Sequence, residues 1–416
     1  MLDIRFIREN AELVQEKSKQ KGYEVDIDEL LRRDESRRSL LSMVEKIRQD
    51  RNELAGQQQN QKPDEGTIAK GKDLKEKLTT EEETLRETEA SFNELLKSVP
   101  NVHPDDTPLG GEENNREEKK WGETAAKDFE IIDHLTWGEQ RGLIDFERGA
   151  KVAGAKFYFL KGALVELELA VTQLAMELAK KHGFSAMMVP HLVNTRTLEG
   201  AGFSARGDEK QIYKIEEEDL NLIATAEIPL TGFHADEILS EKDLPVLYAG
   251  LSPAYRVEGG AYGKHNRGLF RTHQFNKVEL YAFSTPEKSE ELHQKLVALE
   301  EEFCQMLEIP YRIVRIAAGD LGAPAYKKFD IEYWSPLDKT YRELMSCSNV
   351  TDYQARRLNI RYKNAEGEIQ YAHTLNGTLA AMSRIPVAII ENHQTKDGNV
   401  ELPQALHPYM HGQKNI

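Results

Sequence analysis

Cysteine is nearly absent from this chain. Cys304 and Cys347 are its only two, with no CxxC pair and no histidine beside either at a ligand spacing, so a disulfide framework and a cysteine-based zinc site are excluded. Long apolar runs are missing too: none reaches bilayer length, and the opening MLDIRFIREN is charged, without the apolar stretch of a signal peptide. No membrane association is expected, and the protein should be cytoplasmic. Positive charge is in deficit, 55 Lys and Arg against 71 Asp and Glu, for a net charge of −16. That sign excludes indiscriminate nucleic-acid binding, because phosphate neutralisation supplies its sequence-independent affinity. Any RNA contact must use local basic patches.

What is present is length and patterned charge. A chain of 416 residues is too long for one small domain. Hydrophobic residues at 39% can fill a core, and charged residues at 30% exceed the usual quarter, many of them near the N-terminus. Residues 2 to 99 read as helix almost throughout. Leu40, Val44, Ile47 and Leu54 follow a heptad, as do Leu74, Leu78, Leu85, Phe92, Leu95 and Val99 beyond GQQQNQKPDEG, where Pro63 and Gly66 break the helix. Two matched limbs of about 30 residues make an antiparallel hairpin roughly 45 Å long, too thin to hold a catalytic pocket. Heptads most often mean a dimerisation coiled coil, but here the limbs satisfy each other and differ in charge. Residues 32 to 51 hold seven basic side chains (Arg32, Arg33, Arg37, Arg38, Lys46, Arg48, Arg51) against four acidic ones, whereas residues 81 to 97 hold six acidic and two basic. A rod basic on one side suits an RNA backbone. Pro100, Pro104 and Pro108 forbid further helix, which sets a first domain at 1–110 and a second at 111–416, with 111–128 a charged surface linker.

The second domain lacks the regular βαβ alternation of a dinucleotide fold. Leu164, Leu167, Leu169, Val171, Leu174 and Leu178 have helical spacing, and Gly183 sits where a C-cap belongs. FSAMMVPHLVN follows as a short strand whose Pro190 implies a sheet edge. In NLIATAEIPL, Thr225 and Glu227 fall on one side of an extended segment, a hydroxyl and a carboxylate able to grip an ammonium. Residues 252 to 283 read as two strands joined by a basic loop. Its glycines at 259, 260, 263 and 268 permit sharp turns, and Arg256, Lys264, Arg267 and Arg271 gather cations suited to a polyphosphate. A helix over 288–307 and further strands follow, with Glu343 and Ser346 at the end of one. The last element, 373–394, reads as strand, Gly turn and buried helix, with Arg384 near its middle.

Arg256-x-Glu258, a loop, then RGLFRTHQFNKVEL resembles the second signature motif of class II aminoacyl-tRNA synthetases, in detail that of bacterial-type seryl-tRNA synthetases. The resemblance extends to SVPNVHPDDTPLG at the exit of the helical arm, to TAE, to SCSNVTDYQARRLNIRY and to the strand and helix around Arg384, nearly the whole chain. It implies an α+β protein: a tRNA-binding helical arm and a catalytic domain on an antiparallel sheet flanked by helices, dimerising through the helix and edge strand near 163–190. It implies ATP, Mg²⁺, L-serine and tRNA(Ser), leaves open whether tRNA(Sec) is a further acceptor, and implies adenylate formation followed by transfer to the tRNA 3′ end. By the family pattern Arg256 bridges the serine carboxylate and the α-phosphate, and Arg384 holds the γ-phosphate. Val257, Glu258, Phe275, Glu343, Leu344, Met345 and Ser346 bind ATP, Glu343 and Ser346 through the metal. Thr225, Ala226, Glu227, Glu279, Asn376 and Thr378 bind serine. The chain departs from the commonest form at Thr378, Leu379 and Ser383. A ligase charging a carrier protein and a non-catalytic RNA-binding homologue are the alternatives. The helical arm speaks against the first, and the presence of both arginines against the second.

Overall fold

The computed structural model describes residues 1–56, 64–124, 127–203, 212–258 and 268–416 as two compact units, Met1–Val102 and His103–Ile416. Pro63, Gly259, Gly260, Gly263, Lys264 and Arg267 lie outside the described residues.

In the first unit two short helices, Ile4–Glu9 and Ala11–Gln20, precede the long helices α1 (Ile27–Gly56) and α2 (Glu65–Ser98). Asp64 caps α2 by accepting from the Thr67 main-chain N–H at 2.7 Å. Val44 packs with Leu78 and Leu85, Leu40 and Ile47 flank them, Arg48 meets Glu82 at 2.7 Å, and Arg37 lies 4.8 Å from the Phe92 ring. Partners descend α2 as they ascend α1, so the limbs are antiparallel. Near the α2 end the seam passes to buried Leu96, and Leu95 is half-buried. The basic limb is less free than its composition suggests: Arg32 and Arg33 pair with Glu29, and Arg37 and Arg38 with the buried Asp34.

The second unit is built on one eight-stranded sheet. Its strands are β1 (Arg116–Trp121), β2 (Ser185–Met188), β3 (Val246–Tyr255), β4 (Gln274–Ser284), β5 (Tyr311–Arg315), β6 (Lys327–Ser335), β7 (Thr340–Thr351) and β8 (His373–Ala381), in spatial order β1-β5-β6-β7-β8-β4-β3-β2. All neighbours are antiparallel except β2, which runs parallel to β3. Five helices concern the site: α3 (His134–Gln140), α4 (Ala163–Lys181), α5 (Glu227–Gly232), α6 (Pro286–Met306) and α7 (Ile385–His393). Leu167, Val171 and Leu174 of α4, Leu296 and Phe303 of α6, and Ile385 and Ile389 of α7 join Val278, Leu280, Leu344 and Leu375 of the sheet in one core. Each such side chain stabilises by about 1.5–3 kcal/mol on burial. The chain reverses after α4 through Gly183 at φ +86°, as its C-cap position requires.

Four local expectations are corrected. Residues 116–121 of the expected linker form edge strand β1, paired to β5; its side chains are mostly exposed, so its composition gives no burial signal. The strand before Pro190 stops at Met188, since proline cannot donate to the ladder. Leu169 is 65% exposed, because it falls off the helical stripe made by Leu167, Val171 and Leu174. Gly377 is no turn but lies within β8, opposite Cys347 and Leu280, and a Cβ there would stand 2.7 Å from Glu300 Oε1.

Candidate active site

Strands β3 and β4 pair from Val246↔Phe283 to Tyr255↔Gln274, and Arg256 N–H continues the ladder by donating to His273 O at 2.9 Å. This anchors Arg256, whose Nε reaches Ala224 O at 3.4 Å and whose guanidinium lies 5.3 Å from the Phe275 ring centroid. Two residues on, Glu258 adopts φ +48° and meets Arg271 at 3.4 Å. Arg384 lies between β8 and the first turn of α7, near the middle of the 373–394 element, with Pro386 holding that turn. Its Nη1 is 2.8 Å from Glu343 Oε1.

Glu343 and Ser346 occupy the interior of β7, not its end. Three apart, they would face opposite sides of a regular strand. A bulge leaves Leu344 unpaired between Glu332↔Glu343 and Ile331↔Met345, and the extra residue returns Ser346 to the Glu343 side. Both carry hard oxygen donors of the kind Mg²⁺ accepts while keeping waters, so the residues fit that ion.

These groups converge on a cavity of about 510 Å³ lined by Arg256, Glu258, Arg271, Phe275, Lys277, Glu343, Leu344, Met345, Ser346, Thr378 and Arg384. Val257, Thr225, Ala226, Glu227, Glu279 and Asn376 are not in its wall. Thr225, Glu227, Glu279 and Asn376 belong to a buried polar cluster with Lys277 and Thr378, while Ala226 packs in a neighbouring hydrophobic core. Lys277 Nζ is 2.5 Å from Glu279 Oε2 and 3.1 Å from Thr225 Oγ1, Thr378 Oγ1 lies 3.5 Å from Glu279 Oε2, and Gln354 Nε2 donates to Glu227 Oε1 at 2.8 Å. Thr225–Glu227 is not extended: Ala226 is helical and Glu227 opens α5.

The charges are held away from their solution behaviour. Burial, and then Arg384, pull the Arg256 guanidinium below its usual range, with Glu258 and Glu343 opposing. Burial alone would raise Glu343, but Arg384 and Lys328 outweigh it and keep the carboxylate ionised. Burial, seconded by Glu279, lifts Glu227 to about 7 against the pull of Gln354, Lys277 and Asn376. Two arginines that repel each other across a cavity, and a carboxyl short of a cation beside it, are placed to take a polyphosphate and an ammonium.

The description of the first matching family is "Seryl-tRNA synthetase N-terminal domain", over residues 1–103, and that of the second is "tRNA synthetase class II core domain (G, H, P, S and T)", over 212–393. A serine–tRNA ligase of Rubrobacter xylanophilus is 46% identical over 414 residues, covering 99% of this chain and 98% of that one. The chain belongs to the seryl-tRNA synthetase family. The seryl-tRNA synthetase of Pyrococcus horikoshii, solved with ATP, superposes at TM-score 0.92 with 39% identity, over 100% of this chain and 99% of that one. The cytoplasmic serine–tRNA ligase of Naegleria fowleri, solved with AMP, gives 0.87 with 32% identity, over 100% and 98%.

For this member of the seryl-tRNA synthetase family, sequence reasoning missed Lys277, Gln354 and Phe270. Lys277 had a visible signal, since it shares a face of β4 with Glu279 at the two-residue period. Gln354 had none: it reaches Glu227 across 127 positions of sequence. Phe270 gave no hint of the Arg384 guanidinium 5.1 Å from its ring.

Proposed function

We propose that this chain activates L-serine with ATP to seryl-adenylate, releasing pyrophosphate, and passes the seryl group to the 3′ end of tRNA(Ser). The observation that supports this most is the meeting of Arg256, Glu258, Phe275, Glu343 and Arg384 around one cavity, with the Glu227–Lys277–Glu279 cluster against its wall. Attack of a carboxylate on a phosphate needs no covalent enzyme group; it needs two anions brought together and the developing charge stabilised. Arg256 would bridge the serine carboxylate and the α-phosphate. Glu258 would pair with the adenine amino group, Phe275 would stack on the ring, and Val257, Leu344 and Met345 would border the nucleotide. Arg384 would exchange Glu343 for the γ-phosphate, one charge-assisted contact for another. Glu343 and Ser346 would hold Mg²⁺, whose charge offsets that of the phosphates when it is bound.

Glu227, beside Thr225 and Ala226, would receive the serine ammonium, which supplies the cation its burial lacks. Glu279, Asn376 and Thr378 would surround the hydroxymethyl group. Residues 1–110 form the RNA-reading arm in this proposal, and the second domain runs from 111. The side chains of Val165, Leu169 and Met188, 39%, 65% and 86% exposed, support a homodimer through α4 and β2. tRNA(Sec) is a second acceptor to test. No helix is long and apolar enough to cross a membrane among the described residues. The deciding experiment is exchange of pyrophosphate into ATP with serine, threonine or alanine, followed by charging of tRNA(Ser) and tRNA(Sec). Exchange that does not depend on serine would overturn the proposal.

A further inference from the structure

Glu391 of α7 has no exposed surface and gathers contacts from several elements. Ser335 Oγ donates to it at 2.9 Å, Tyr333 OH at 3.4 Å and His134 Nδ1 at 3.3 Å, while Arg342 Nη1 stands 3.8 Å away. His134, on α3 and 4% exposed, is engaged at both ring nitrogens, because its Nε2 accepts the Leu269 main-chain N–H at 3.2 Å. One tautomer satisfies both contacts, with the proton on Nδ1 and the lone pair on Nε2. The Gly268–Phe270 turn is fitted to that ring: Gly268 has φ +68°, and a Cβ there would stand 2.4 Å from His134 Nε2.

Phe270, the last residue of the turn, lines the active-site cavity. Its ring lies 5.1 Å from the Arg384 guanidinium and 5.5 Å from that of Arg342. Glu391 therefore supports Phe270 by two routes, through His134 and the Leu269 N–H, and through Arg342. A guanidinium resting on an aromatic face loses less rotamer freedom when it engages a phosphate.

Resting on the reading of this cavity as an ATP site, we propose that His134 is a positioning residue for the nucleotide: by holding the Leu269 N–H it fixes Phe270, and Phe270 orients Arg384. The effect falls on ATP and not on serine, since Phe270 and Arg384 engage Arg342 and Glu343, whereas Glu227, Lys277 and Glu279 are held by Gln354, Thr225 and one another. Two variants of the full chain separate the ring's functions. His134→Asn keeps a polar group near Nδ1 to meet Glu391 and removes the acceptor at Nε2; His134→Gln places an amide oxygen near Nε2.

The measurements are hydrogen–deuterium exchange at the Leu269 amide, ATP affinity by calorimetry, KM and kcat in serine-dependent pyrophosphate exchange, and Tm. In His134→Asn the Leu269 amide should exchange at least about tenfold faster and ATP binding should weaken by about tenfold, with the KM for serine unchanged and Tm lowered by no more than the few degrees that one unmet hydrogen bond costs. His134→Gln should restore both. Unchanged ATP affinity in His134→Asn would overturn the proposal. So would ATP and serine constants that worsen together with a larger fall in Tm, the mark of a merely structural histidine. A chain that binds ATP but fails to activate serine counts against the serine reading alone, because calorimetry still decides the role of His134.

Discussion

The hairpin of α1 and α2 and the sheet unit bury their side chains on different terms. Along the 30 residues of α1, only Ile27, Leu30, Asp34 and Val44 are buried, and α1 meets α2 along one apolar seam. The sheet unit encloses whole layers of apolar side chains, yet Glu227, Glu279, Glu300 and Glu391 are also inside it. Desolvating a carboxyl costs several kcal/mol, which pairing such as that of Glu279 with Lys277 offsets only with good geometry, so a fold does not accumulate such groups for stability. The hairpin shows how little burial is needed to display a charged surface; the sheet unit shows what burial is for when charges must be aimed.

The comparison is broken most severely at Arg256. Arg256→Ala should lower serine-dependent pyrophosphate exchange by about 10³-fold or more, with circular dichroism and Tm intact, because a charge-assisted contact made in the transition state is lost. Near-normal exchange in that variant would remove Arg256 from the chemistry.

Removal of the rod tests the other side. Replacing residues 35 to 95 by a short turn should leave exchange within about threefold while tRNA charging falls about 10²-fold, and salt should weaken tRNA binding steeply only in the intact chain. Equal loss of both activities would make the hairpin part of the catalytic fold.

A subtler contrast concerns Glu227, raised to about 7. Its carboxylate form binds an ammonium and its protonated form does not. kcat/KM for serine should therefore be level above pH 7 and fall about tenfold per unit below it, following the free enzyme's titration. The same shift works against folding: the raised folded value favours the neutral form, so this group's contribution to stability is fully present below about 4.5 and lost as pH rises through 7. A profile flat from pH 6 to 8 would place another group at the ammonium.

The smallest effect belongs to Thr378, whose Oγ1 faces Glu279. Thr378→Ser should retain serine activation within about threefold and relax discrimination against threonine, since one methyl in a pocket is worth about 1–3 kcal/mol. Improved rejection of threonine by Thr378→Ser would show that this methyl does not border the substrate.

Much of this is legible in the sequence. Heptads determine an antiparallel hairpin, although Gly66, expected to break the helix, lies in the first turn of α2; alternation around Arg256 and Glu279 determines two paired strands, and Gly183 marks a helix end, because each depends on periods and dihedral preferences carried by neighbouring residues. The order of residue types around Arg256 also suffices to place the chain in its family. Only the tertiary structure could decide that Glu343 and Ser346 share a face, since the bulge at Leu344 is set by its register with β6. The same holds for the close approach of the Glu300 carboxylate of α6 to the glycine in β8, and for the salt bridge that holds Arg384 at Glu343. Glu227 in NLIATAEIPL looks like any acidic residue; its shift comes from burial and from Glu279, 52 positions away, and is tempered by Gln354, 127 positions away. Register and burial belong to what packs against a segment, and a segment's own residues do not encode them.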